Sequence, residues 1–154
     1  MSFNDLIKKL DKDLMVTETK TDNNILYIYC QSEKNEASCS YCNEISSSVH
    51  STYTRTIKDL SIQQYEVKLV VTVNKYFCNN EKCEHKTFAE KFDFVKEKAV
   101  RTKRLDEYIG RIGVRNSSMD TVRDLKDNFI NVSLNTVLRI IHKKKRLITK
   151  DIKI

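Results

Sequence analysis

Between Phe3 and Leu10 the apolar side chains Phe3, Leu6, Ile7 and Leu10 recur at the i, i+3, i+4, i+7 spacing that gathers them on one helical face. A short helix is predicted there. Two β-like runs follow, Leu14 to Lys20 and Ile25 to Gln31, separated by Thr21-Asp22-Asn23-Asn24, whose Asp and Asn tolerate the backbone of a tight turn. A second hairpin is better marked. Tyr65 to Phe77 alternates Tyr65, Val67, Leu69, Val71 and Val73 against Glu66, Lys68, Thr72 and Asn74, so one face should be buried and the other wet. The stretch Val49 to Ile57, rich in Thr, Tyr and Val, is its expected partner.

Beyond Phe94 the period becomes helical. Leu105, Ile109 and Ile112 share a face, then Val122, Leu125 and Phe129, then Leu134, Val137, Leu138 and Ile141. Ser117-Ser118-Met119-Asp120 places an N-cap before a helix running to about Asn128, a turn follows through Ile130-Asn131-Val132, and Ser133 is a second N-cap. The pattern predicts an α+β chain in two parts. Residues 1–94 form a β-hairpin module, and residues 95–154 a helical module with a helix-turn-helix.

Length and composition narrow the function classes. A chain of 154 residues holds one ordinary domain or two small ones, and 40% hydrophobic with 32% charged residues describes a folded chain. No apolar run reaches the roughly 18 residues of a membrane span, and no secretory signal opens the sequence, so a cytoplasmic location is expected. The formal charge of +7 is unevenly placed. Residues 1–94 carry twelve basic and fourteen acidic side chains, whereas residues 95–154 carry sixteen and seven. The C-terminal surplus suits an anionic partner, nucleic acid above all, or serves as a solubilising face.

Five cysteines without a secretion signal argue for metal ligands or reduced thiols rather than disulfides. Cys39 and Cys42 form a C-x2-C pair, and Cys78 and Cys83 a C-x4-C pair. The predicted hairpin begins a few residues after Cys42 and returns immediately before Cys78, so both pairs fall at one end of it. Four thiolates complete the tetrahedron of a structural Zn²⁺ and leave no open position for catalysis. His50 and His85 are therefore expected outside the ligand set, Asn43 is suited to a left-handed residue after the first pair, and Cys30 reads as a small buried strand residue. No oriented Cys-His pair suggests a thiol enzyme.

In the last predicted helix Leu134, Val137, Leu138 and Ile141 should face inward, with Asn135, Thr136, Arg139 and Lys143 outward. Asn and Arg pair bidentately with adenine and guanine edges, so Ser133, Asn135, Thr136 and Arg139 are candidate base readers. Lys143, Lys144, Lys145 and Arg146 are candidate phosphate contacts.

Taken together, these segments resemble the N-terminal region of the ISL-type bacterial insertion-sequence transposases. Cys39-Ser40-Tyr41-Cys42 with Val49-His50-Ser51-Thr52-Tyr53 and Asp59-Leu60 carries the resemblance. So do Tyr76-Phe77-Cys78-Asn79-Asn80-Glu81-Lys82-Cys83 with Phe88 and Glu90, and Val132-Ser133 with Thr136-Val137-Leu138-Arg139. Ser40 and Glu81 stand where the family usually has proline in its knuckles. The resemblance implies a zinc segment and helix-turn-helix that recognise double-stranded DNA at terminal inverted repeats, ahead of a ribonuclease-H-like catalytic domain. The chain stops a few residues after Arg146, which leaves no room for that domain. It is therefore expected to bind element ends without strand transfer of its own. Competition with full-length transposase as a regulator, and a zinc-dependent protein-interaction module, are the alternatives.

Overall fold

A computed structural model describes residues 1–152 and shows a mixed α+β fold. Helix α1 (Phe3–Leu10) is closed by a capping box in which Ser2 and Asp5 satisfy each other's backbone N–H groups. Strands β1 (Leu14–Asp22) and β2 (Ile25–Ser32) follow, joined by only Asn23 and Asn24. Both asparagines have positive φ, 47° and 66°, the backbone a two-residue type I′ hairpin requires. Next come the short strands β3 (Ala37–Ser38) and β4 (Ile45–Ser46), which pair with each other.

The long hairpin is β5 (Val49–Ile62) with β6 (Tyr65–Phe77), registered from Val49 opposite Tyr76 to Ile62 opposite Tyr65. β5 runs five residues past the predicted Ile57, so Asp59 and Leu60 belong to the strand. A short β7 (Thr87–Ala89) adds to the far end of β6. The sheet order is β1-β2-β6-β5, and β2 lies parallel to β6. That pairing joins two hairpins distant in sequence, a contact that alternation within each strand cannot reveal.

One face of the sheet is dry. Leu26, Ile28, Cys30, Ile57, Val67, Leu69, Val71 and Val73 are buried there, joined by Ile7 from α1 and by Phe92, Phe94 and Val95 from the loop that follows β7. Cys30 is 1% exposed, and burial pushes its thiol up to about 12. It is an inert core residue, as its strand register predicts.

Three helices make the remainder: α2 (Lys103–Gly113), α3 (Ser118–Asp127) and α4 (Leu134–Ile152). They enclose a separate core of Leu105, Ile109, Leu125, Ile130, Val137 and Ile141. Ser117 caps α3, its hydroxyl accepting from the Asp120 N–H, and Ser133 caps α4 by accepting from the Thr136 N–H at 3.2 Å. α3 ends earlier than its apolar period suggests. Phe129 lies outside the helix with φ 61°, and its N–H and that of Ile130 close a Schellman motif onto Lys126 and Leu125. Gly113 is needed for packing. A Cβ there would stand 2.6 Å from Ile141 Cγ1, so the α2 backbone can approach α4 only without a side chain.

The helices are fastened to the sheet through Asp59, 5% exposed at the end of β5. Its Oδ1 accepts from the Thr102 hydroxyl and from Arg104 Nε, each at 2.8 Å, and its Oδ2 from Arg104 Nη2. Thr102 is also the N-cap of α2, its hydroxyl accepting from the Leu105 N–H. One carboxylate thus positions the first turn of the helical unit.

Candidate metal centre and basic helix

The turn Cys39 to Cys42 bends back on itself. The Cys39 N–H donates to the Glu44 carbonyl, the Asn43 N–H donates to the Cys39 carbonyl, and Asn43 has φ 64°, the left-handed residue expected there. The second pair follows β6 directly. The Cys78 N–H donates to the Lys86 carbonyl and the Cys83 N–H to the Asn80 carbonyl. β3, β4 and the ends of β5, β6 and β7 thereby bring Cys39, Cys42, Cys78 and Cys83 together, with all four sulfurs within 4.8 Å of one another.

Four sulfurs about 2.3 Å from one tetrahedral centre lie roughly 3.8 Å apart, so the cluster has the dimensions of a zinc site. Its chemistry agrees. The Glu44 N–H lowers the Cys42 thiol to about 7 against the effect of burial. The Asn80 N–H acts the same way on Cys78, but burial and the crowding sulfurs of Cys42, Cys39 and Cys83 drive that thiol up to about 12. Cys83 is raised as well, the His85 N–H holding it down less than burial and Cys42 push it up. A Zn²⁺ held here would be ligated by the four thiolates, and its binding would release their protons.

Beneath the cluster Tyr76 and Phe88 stack with centroids 5.7 Å apart, both buried, and Cys39 is 0% exposed. The metal end has a small core of its own. Residues 35–83 match the family model for the zinc-finger of transposase IS204/IS1001/IS1096/IS1165, the ISL3 zinc ribbon.

This stretch is a transposase-type zinc ribbon. No curated protein and no solved structure matches the chain. The four ribbon cysteines fit a structural Zn²⁺, and neither histidine belongs to the set. His50 Nδ1 pairs with the Ser51 hydroxyl and its ring meets Phe77 edge-on, while His85 stacks on Tyr41.

The basic candidates lie away from the ribbon cysteines, on α4. Asn135, Arg139, Lys143, Lys145 and Arg146 are exposed, as the helical period predicts. Thr136 is not. It is 8% exposed, and its hydroxyl takes bonds from Ser133 Oγ at 3.0 Å and from Arg139 Nη2 at 3.4 Å, so it braces the first turn instead of facing out. Leu134, expected inside, is 36% exposed, because the cap at Ser133 starts the helix with that residue on the outer side. Lys144 is half-buried, its chain lying over Gly110. The Ser133 hydroxyl is committed to its cap.

Sequence reasoning missed Asp59 as the joint and the Tyr41-His85 stack. Both depend on residues more than forty positions apart. Among the described residues, no helix is long and apolar enough to cross a membrane.

Proposed function

We propose that this chain is the DNA-binding part of a transposase, with a zinc-stabilised β module over residues 1–94 and a helix-turn-helix within residues 95–154 that recognises terminal inverted repeats. The observation that carries the reading is an outward basic face on the capped helix α4, in a chain whose residues 35–83 match a transposase zinc ribbon. Asn135 and Arg139 stand on the first turns, where a recognition helix meets base edges, and Lys143, Lys145 and Arg146 follow as phosphate contacts. Thr136 is removed from the base readers by its burial. Full-length transposase, acting on the same ends, is the partner this reading implies.

The test is a titration of the zinc-loaded protein against a duplex carrying the terminal repeat and a scrambled duplex of equal length, across a salt series. Arg139→Ala should cost about 1–3 kcal/mol on the repeat and little on the scrambled duplex, whereas Lys145→Ala should weaken both alike and flatten the salt slope. Equal losses on both duplexes for Arg139→Ala would refute the assigned roles. Failure of the intact protein to bind either duplex at low salt would refute the reading itself.

A further inference from the structure

A groove of about 1150 Å³ opens beside the zinc ribbon, lined by the first cysteine loop, by His85, by the β5–β6 end and by much of the segment from Thr87 to Lys103. Three exposed rings stand in its wall. Tyr41, from inside the first cysteine pair, and His85, two residues beyond Cys83, lie face to face with centroids 3.4 Å apart and planes 11° from parallel. Both remain exposed, Tyr41 by 57%, so the slab they form still offers flat surface to the groove. Tyr53, two residues along the strand from Arg55, is 44% exposed. A sheet face whose other positions are packed under Phe92 and Phe94 ends here on an uncovered aromatic ring.

The groove also carries charge. Lys75, Lys96, Lys98 and Lys103 line it, and among the described residues none of them is in an ion pair. Arg55 is spent, donating to the Lys96 and Ala99 carbonyls. Of the carboxylates, Glu90 accepts from the Asn74 N–H and Glu97 pairs with Lys91, which leaves Asp93.

We propose that this groove binds an unpaired DNA strand, its bases stacking on Tyr53 and on the Tyr41-His85 slab and its phosphates lying along Lys75, Lys96, Lys98 and Lys103. Flat exposed rings interleaved with unpaired lysines are the elements of single-strand binding, and a paired base has no free face to offer such rings. The proposal rests on the DNA-binding reading above and extends it.

The experiment uses the zinc-loaded full chain, a labelled oligothymidylate of about twelve nucleotides and, separately, a blunt duplex, each read by fluorescence anisotropy at low salt. Tyr53→Ala and Tyr41→Ala should each weaken oligothymidylate binding about tenfold, Tyr53→Phe should retain it, and none should alter duplex binding. Lys96→Ala should lower the magnitude of the single-strand salt slope by about 0.7. Arg139→Ala should leave the oligothymidylate unaffected. Absence of oligothymidylate binding, unchanged affinity in both Tyr→Ala variants with zinc content intact, or equal displacement by polyglutamate competing as an acidic polypeptide would overturn the proposal. Loss of duplex binding alone, with the Tyr53→Ala effect present, would refute the α4 reading and leave the groove standing.

Discussion

Truncating Asp59 to Ala strands the Thr102 hydroxyl and the Arg104 guanidinium at the first turn of α2. Arg104 is 42% exposed in its side chain, so water recovers part of that ion pair, and the loss comes mainly from the buried carboxylate and its Thr102 bond. Asp59→Ala should therefore destabilise the fold by about 2–3 kcal/mol, read as a lower urea midpoint, with Asp59→Asn intermediate because it keeps an acceptor for Thr102. The sequence singles out Asp59 only within the family resemblance and gives no hint of its role as a joint, since its partners lie 43 and 45 positions away. The cysteines are the opposite case, legible from spacing alone. Their protonation has a sign that can be checked: zinc binds thiolates, Cys42 takes up its proton below about 7, and Cys78 and Cys83 are raised. Zinc affinity should accordingly fall as pH is lowered from 8 to 6, measured by competition with a chromophoric chelator, and an affinity indifferent to pH would contradict four-thiolate ligation.

Among the elements, the α2–α4 contact separates two glycines that look equivalent in sequence. An alanine gains roughly 1 kcal/mol of helix propensity over glycine at either place. At Gly113 the new methyl would meet Ile141 Cγ1 at 2.6 Å and Cδ1 at 2.8 Å, inside the helical core, and the overpacking cost of about 1–3 kcal/mol outweighs that gain. At Gly110 the nearest atom is Lys144 Cδ at 3.0 Å, part of a long side chain that can swing away. Gly113→Ala should lower the melting temperature and Gly110→Ala should hold or raise it, by calorimetry. All four helices are readable from their apolar periods, and α3 and α4 also from their serine caps. Phe129 was misplaced because period alone cannot see the left-handed residue that ends α3, and Thr136 because a helical wheel assigns faces without knowing which neighbours α4 packs against.

For the whole molecule, three separate cores imply a graded response to metal loss. Cys39, Tyr76 and Phe88 form a core packed against the other ribbon cysteines, whereas the sheet core and the helical core are built from other residues. A strong chelator should deprotect amides around residues 37–46 and 76–89 in hydrogen exchange while those of β2, the middle of β6 and α2 stay protected. Uniform deprotection would show that the metal holds all three cores together. The sequence by itself determined the α+β class, the two hairpins, the helices and the cluster of four cysteines, because alternation, helical period, caps and knuckle spacing are local properties that neighbouring residues enforce on one another. The tertiary structure alone decided the parallel pairing of β2 with β6, the Asp59 joint, the burial of Thr136, and the meeting of Tyr41, His85, Tyr53 and the lysines in one groove. Each of these joins residues far apart along the chain, and such contacts arise from how packed elements bury their apolar faces, which no short window of sequence contains.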